Sequence, residues 1–320
     1  MKKTGYSLFL VMLITALAAG CGPASVAQHG VSEPPAAAAA EMIQNARVSY
    51  LGPEGTYTEE ATQFFFPDAG SLMPEATVAD AIADLTAGTA DYAVIPQENT
   101  LGGAVTNYVD ALIAQEDVYV VGEVILPISQ TLMGSPGAAI EDIQTVCSHA
   151  QGLAQSAEWR KEHLPNAAAE EMPSTAAAAS YVAESGDQTV AAVAAPGAAR
   201  LYGLTVLAEN VQITEANKTR FYVLSSTELK GEMQTRAVIV ASCEANQLDD
   251  LILDIHSAGL ELVTIHDRPE GSRLGMYHYL IELENGAGIS PEQIASIEAL
   301  EHVRFFGSFH VAEKPQAARP

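Results

Sequence analysis

The 320-residue chain carries 40 acidic residues against 15 basic ones, a formal charge of −25 at pH 7. So negative a surface repels nucleic acid and anionic membranes, which removes both from the expected partners. Its three cysteines are too few for a disulfide framework, and Cys147 and Cys243 sit in apolar runs that read as places for buried thiols.

Met1-Lys2-Lys3 gives a basic start, and residues 6–19 are nearly continuous apolar sequence ending in Ala18-Ala19-Gly20-Cys21. This is the layout of a secretory signal, with an apolar run too short to span a bilayer comfortably. The small residues before Cys21 resemble a bacterial lipobox, although Leu17 stands one place further from the cysteine than is usual there. The expectation for residues 1–21 is an export signal with lipidation at Cys21, giving an anchored or periplasmic protein. Membrane contact would then come through that lipid alone. An ordinary cleaved signal and an uncleaved anchor are the alternatives. Residues 22–45 contain Pro34-Pro35 and five alanines without apolar periodicity, and read as a disordered tether.

From residue 47 strand-like and helix-like segments alternate. A short strand over 47–51 leads into the turn Gly52-Pro53-Glu54-Gly55, and Thr56 with Glu59 forms a capping box before a helix to 66. Thr77 opens a second helix to about 85. A strand over 92–95 ends at Pro96, a loop over 99–103 enters a helix over 104–114, and strands follow at 118–124 and 129–133. The second series has a strand at 145–147, a capping box from Ser148 to Gln151 opening a helix to about 163, and Ser174-Thr175 capping a helix over 176–184. A strand at 190–194, a helix over 195–202 and a strand over 221–224 complete it. This alternation predicts an α/β fold with parallel layers, arranged as two lobes around a cleft like a type II periplasmic binding protein. Ligands of such sheets sit beyond strand C-termini, where helix N-termini point.

The last segment reads strand 235–242, helix 247–258, strands 261–266 and 277–284, helix to about 300 from the cap Ser290-Pro291-Glu292-Gln293, and strand 303–310. This β-α-β-β-α-β order is the ferredoxin-like split unit. The expected boundaries are a catalytic domain over 46–228, a second domain over 234–312 and a tail over 313–320.

Four stretches resemble the prephenate dehydratase family: Leu51-Gly-Pro-Glu-Gly-Thr-Tyr-Thr58, Ile95-Pro-Gln-Glu-Asn-Thr-Leu-Gly-Gly103, Ser148-His-Ala-Gln-Gly-Leu-Ala-Gln155 and Asn217-Lys-Thr-Arg-Phe221. The resemblance covers nearly everything from Arg47 to Ala312. It implies the decarboxylating dehydration of prephenate to phenylpyruvate in phenylalanine biosynthesis, by a carbon–oxygen lyase without cofactor or metal. Prephenate is a dianion that loses its ring hydroxyl as water and its ring carboxylate as carbon dioxide. Strong ion pairing would retain the departing carboxylate, so neutral donors suit the task.

The resemblance assigns Thr219 to assist hydroxyl departure, as a hydrogen-bond donor or relay. Asn99 supplies an amide and also suits a helix cap. Ser148 and Gln155, seven apart, would share one helix face as substrate contacts, while Gln151 completes the capping box and stays outside the catalytic set. Thr56, Ser174 and Thr175 fit carboxylate holders and plain caps equally. Arg220 would either draw in the dianion or form an ion pair with Glu98 or Glu215, and Phe221 would pack beneath the substrate.

The C-terminal unit resembles the ACT domain, which implies L-phenylalanine as effector and pairing of subunits into a homodimer or homotetramer. The usual G-A-L turn is represented by Asn246-Gln247-Leu248 and the usual E-S-R-P by His266-Asp267-Arg268-Pro269. Asn246, Leu248, Asp267, Arg268 and Pro269 are the candidate effector residues, and loss of the glycine turn predicts weakened phenylalanine control. Two other functions fit the same outline: an exported two-lobed solute-binding lipoprotein, and an arogenate dehydratase.

Overall fold

Three sheets organise the residues that the computed structural model describes, 42–101, 103–104, 106–214, 216–229 and 234–315. The expected export signal, Cys21 and all but the end of the expected tether lie outside the described residues. The first lobe is built from β1 (Arg47–Leu51), α1 (Tyr57–Phe65), β2 (Ser71–Glu75), α2 (Val78–Thr86), β3 (Tyr92–Asn99), β4 (Gly103–Ala104), α3 (Thr106–Ile113) and β5 (Tyr119–Pro127). The chain crosses at 128–130 into the second lobe: β6 (Thr131–Gly134), β7 (Thr145–Ser148), α4 (Ala150–Gln155), α5 (Ala157–His163), β8 (Ala168–Glu171), α6 (Thr175–Ser185), β9 (Val190–Ala194), α7 (Pro196–Tyr202) and β10 (Thr205–Ala208). It returns through 209–217 to β11 (Lys218–Ser225), in the middle of the first sheet between β5 and β3.

The local reasons are ordinary ones. In α2, Val78, Ala81, Ile82 and Leu85 recur at helical spacing and are all buried, and Thr77 accepts a hydrogen bond from the Asp80 backbone at 3.1 Å. In β3 the first six residues are buried, as befits a strand flanked by β11 and β1.

Both lobes are α/β with helices on both faces of the sheet, but their sheets are mixed rather than parallel. β1 runs parallel to β2 and β3, whereas β11 is antiparallel to β3 and β5, and β6 is antiparallel to β9 and β10. The helix expected over 148–163 is two helices. Ser148 ends β7, His149 is the cap, and the break falls at Ser156, whose hydroxyl bonds the Gly152 carbonyl at 2.8 Å.

The third sheet has the order β13-β14-β12-β15, formed by β12 (Arg236–Glu244), α8 (Leu248–Ser257), β13 (Glu261–Pro269), β14 (Met276–Glu284), α9 (Pro291–Glu298) and β15 (Val303–Phe309). This is the expected ferredoxin-like unit. It packs directly on the first lobe: Val238, Val240, Leu280 and Phe306 share one buried cluster with Ile82, Leu85, Tyr108 and Leu112. Gly307, at φ +122°, lets β15 approach so closely that a side chain there would collide with the Val120 backbone. Beyond β15 the chain does not trail off. β16 (Val311–Glu313) pairs in parallel with β5, Val311 opposite Glu123, so the expected boundary at 312 falls inside a strand of the first lobe.

Candidate active site

The cleft between the lobes holds a cavity of about 350 Å³ where the two crossovers and several strand-to-helix turns meet. From the first lobe, β1 leads to the cap Thr56, whose hydroxyl accepts from Glu59 N, while β3 ends at Asn99. A register shift between Arg220 and Phe221 leaves Gln97 as the extra residue of a bulge, so Pro96 and Asn99 both line the cavity. From the second lobe come His149 at the start of α4, Gln155 at its end, and Ser174-Thr175 at the start of α6.

Thr219 lies opposite Asn99 in the ladder, and the Asn99 amide donates to the Thr219 hydroxyl oxygen at 2.9 Å. The same amide donates to Asn217 Oδ1 at 2.9 Å, while its own oxygen accepts from Leu101 N at 3.0 Å and, across the cleft, from Gln151 Nε2 at 3.2 Å. Asn99 is thereby fixed in orientation. Among the described residues the Thr219 oxygen has no other hydrogen-bond partner, so its proton is available to a ligand.

The described lining contains no Lys, Arg, Asp or Glu. The N-terminal ends of α1 and α6 supply fixed positive partial charge, and hydroxyls and amides supply the rest. Tyr57 closes one side, donating to the Ser129 carbonyl at 2.8 Å, and burial holds its phenol well above the usual pKa. The Gln130 amide donates to Gln155 Oε1 at 2.8 Å. Two deeply buried amide atoms on this wall, Gln130 Oε1 and Asn217 Nδ2, have no hydrogen-bond partner among the described residues.

The structure thus brings Thr219, Asn99, Gln155, Thr56, Ser174, Thr175 and Phe221 around one cavity. It does not bring Ser148 there. That side chain is fully buried and its hydroxyl donates to the Val193 carbonyl at 2.5 Å, fastening β7 to β9; it shares no helix face with Gln155. Arg220 is absent from the lining too, and of its two expected roles the ion pair with Glu98 is the one present; Glu215 lies outside the described residues. Strand alternation turns Arg220 to the opposite face from Thr219, where it binds Glu123, Glu282 at 2.5 Å and Glu98 at 3.4 Å. Burial opposes its charge, but the bonds and charges of Glu123 and Glu282 hold its pKa above the ordinary arginine value. Arg236 joins this cluster through Glu282 at 2.6 Å, and Lys218 is paired with Glu313 at 2.5 Å.

Three lining amides went unread as site residues. Asn217 sits inside the Asn217–Phe221 stretch and was legible there. Gln151 reads in sequence as half of a capping box with Ser148, but the cap is His149 and the Gln151 amide reaches Asn99 instead. Gln130 lies in a crossover with no motif around it. In the C-terminal unit, Asn246 lies in a 3-10 turn after β12, and Pro269 and Cys243 both pair with Tyr277, so the candidate effector residues gather at one end of that sheet. Arg268 there donates to Asp110 of α3 at 2.7 Å.

The model of the prephenate dehydratase family matches residues 48–229, more than half of the chain. The chain belongs to the prephenate dehydratase family. It is 36% identical over 239 residues to the bifunctional chorismate mutase/prephenate dehydratase of Neisseria gonorrhoeae, covering 74% of this chain and 66% of that protein. It therefore spans just under two thirds of the length of that bifunctional relative. It is 32% identical over 277 residues to the prephenate dehydratase of Lactococcus lactis subsp. cremoris, covering 83% of this chain and 98% of that one. Among solved structures, the prephenate dehydratase of Arthrobacter aurescens in complex with L-Phe superposes with a TM-score of 0.74 at 30% identity, covering 86% of this chain and 93% of that one. Both lobes and the C-terminal antiparallel sheet fall within this prephenate dehydratase fold.

Proposed function

We propose that the chain is a prephenate dehydratase, converting prephenate to phenylpyruvate, water and carbon dioxide in phenylalanine biosynthesis. The observation that carries this reading is the Thr219 hydroxyl, held by Asn99 at 2.9 Å on the wall of a cavity lined by neutral donors. Thr219 donates to the departing ring hydroxyl, and the Asn99 N–H stays on Oγ1 to stabilise charge that develops there. Helix ends and amides hold the carboxylates without neutralising the one that must leave. One proton is taken from solvent as the dianion becomes a monoanion, water and carbon dioxide.

An amino acid such as arogenate fits this cavity less well than the keto acid. Its ammonium would meet helix N-termini and find no carboxylate among the described lining residues. The test is to incubate the protein lacking residues 1–21 with prephenate and follow phenylpyruvate. Turnover supports the reading, binding without turnover favours a solute receptor, and faster turnover of arogenate reassigns the substrate.

Three further proposals rest on likeness and on the leader sequence. The L-Phe held by the Arthrobacter aurescens protein makes L-phenylalanine the proposed ligand of the ACT-like unit, at the sheet end that carries Asn246 and Pro269. Without the glycine turn, its coupling to turnover is proposed to fall below about fivefold, which an assay with and without the amino acid measures. Pairing of copies through the ACT-like sheets follows from the resemblance, and sedimentation reads it. From residues 1–21 alone, export and anchoring at Cys21 are proposed; Cys21→Ala should then move the protein from the membrane to the soluble fraction.

A further inference from the structure

Gln130 stands in the crossover between β5 and β6, only 3% exposed, and is held at three points. Its backbone N–H donates to Gln212 Oε1 at 2.8 Å, its carbonyl accepts from Val211 N at 2.9 Å, and its side-chain amide donates to Gln155 at 2.8 Å. The remaining group, Oε1, is buried, lines the cavity and has no partner among the described residues. Leaving such an acceptor unpaired costs about 1–3 kcal/mol, so a rigid one on a cavity wall points to a ligand group that donates.

Prephenate offers a single donor. Two carboxylates and a ketone only accept; the ring hydroxyl alone carries a hydrogen for bonding. We propose that Gln130 is a substrate-contacting residue whose Oε1 accepts the hydrogen of that hydroxyl, turning the oxygen's lone pairs toward the Thr219 hydroxyl. The proposal rests on the prephenate reading above. Its chemistry balances. The C–O bond breaks as the electron pair of the ring–carboxylate bond moves into the ring and carbon dioxide departs. The oxygen leaves as water, keeping the hydrogen held by Gln130 and gaining the one donated by Thr219, which is replaced from solvent. An unfixed hydroxyl would spend part of its time presenting its hydrogen to Thr219, a geometry in which nothing can be transferred.

The test uses the full chain and two ligands: prephenate, and the product phenylpyruvate, which has no ring hydroxyl. For Gln130→Met, kcat/KM for prephenate is expected to fall by about 10- to 100-fold, while inhibition by phenylpyruvate stays within about twofold. Gln130→Glu supplies a second readout, because a protonated carboxylic acid both accepts and donates as the amide does. Its kcat/KM relative to wild type should rise as the pH is lowered from about 8 to about 6, after subtraction of uncatalysed conversion. This variant also carries the test if Gln130→Met does not fold. Equal weakening of substrate and product, normal turnover by Gln130→Met, or a flat pH ratio for Gln130→Glu would each overturn the proposal and leave the enzyme reading standing. A wild-type protein that does not turn over prephenate would overturn both.

Discussion

Asn99 and Thr219 face each other across the β3–β11 ladder, and the amide of one donates to the hydroxyl oxygen of the other at 2.9 Å. Thr219→Ala is accordingly expected to lower kcat by roughly 10²-fold or more. Asn99→Leu leaves the hydroxyl in place but unfixed, and should lower kcat by about tenfold or more with a smaller change in KM. Steady-state kinetics on both variants decide it; near-normal kcat for Thr219→Ala would remove this residue from the chemistry.

Arg220 sits one residue from Thr219 yet belongs to the junction with the C-terminal unit. Its removal strands Glu123, sealed from solvent, and leaves the equally buried Glu282 with Arg236 as its remaining cation. Arg220→Met is expected to cost about 3–5 kcal/mol in urea unfolding. Phenylpyruvate affinity of the folded fraction should stay near wild type, because the guanidinium is absent from the cavity lining. A large loss of affinity with normal stability would restore the substrate-binding role.

Glu123 gives the junction a pH dependence. Burial and the charge of Glu282 push its carboxyl up to about 7 although Arg220 and Arg236 pull the other way, and its second oxygen is unpartnered. A carboxyl raised in the folded state favours folding while protonated. The contribution is complete below its ordinary value of 4.5 and fades as the pH climbs through about 7. Wild-type stability should therefore fall across that window, by at most about 3 kcal/mol from this group. Unfolding curves of Glu123→Gln should be flatter over the same range; an unchanged slope would assign the dependence elsewhere.

At Gly307 the third sheet meets the Val120 backbone without room for a Cβ, and φ is +122°. Gly307→Ala should cost about 2–4 kcal/mol from overpacking and backbone strain together. Because the core runs without interruption from the first lobe into this sheet, calorimetry should show one transition at a lower Tm rather than early melting of the C-terminal unit.

The elements that sequence reasoning found are those with a buried apolar stripe or a side-chain cap, such as α2 with Thr77 and α6 with Ser174. β2, β8 and β10 escaped it because they are sheet-edge strands with little apolar alternation, and β2 even contains Pro74. At the site, Thr219 and Asn99 were legible through their motifs. Ser148 was misplaced because a strand's last residue and a helix cap look alike in sequence when a helix follows at once. For Arg220 the pair with Glu98 was open in the sequence, but its partner Glu282, 62 residues further on in the C-terminal unit, has no local pattern to announce it. Gln130 acts through long-range anchors, Gln212 and Gln155, and was equally silent.

The short strand β16 changes what the C-terminal unit can do. The chain leaves the first lobe from β11 on one side of β5 and comes back as β16 on the other. The unit is thus an insertion clipped at both ends, not a pendant on a swivel. Cutting it off near residue 300 would strip an edge strand from the catalytic lobe. Any tilt of the unit would tug β5 from both flanks, carrying Glu123 with it.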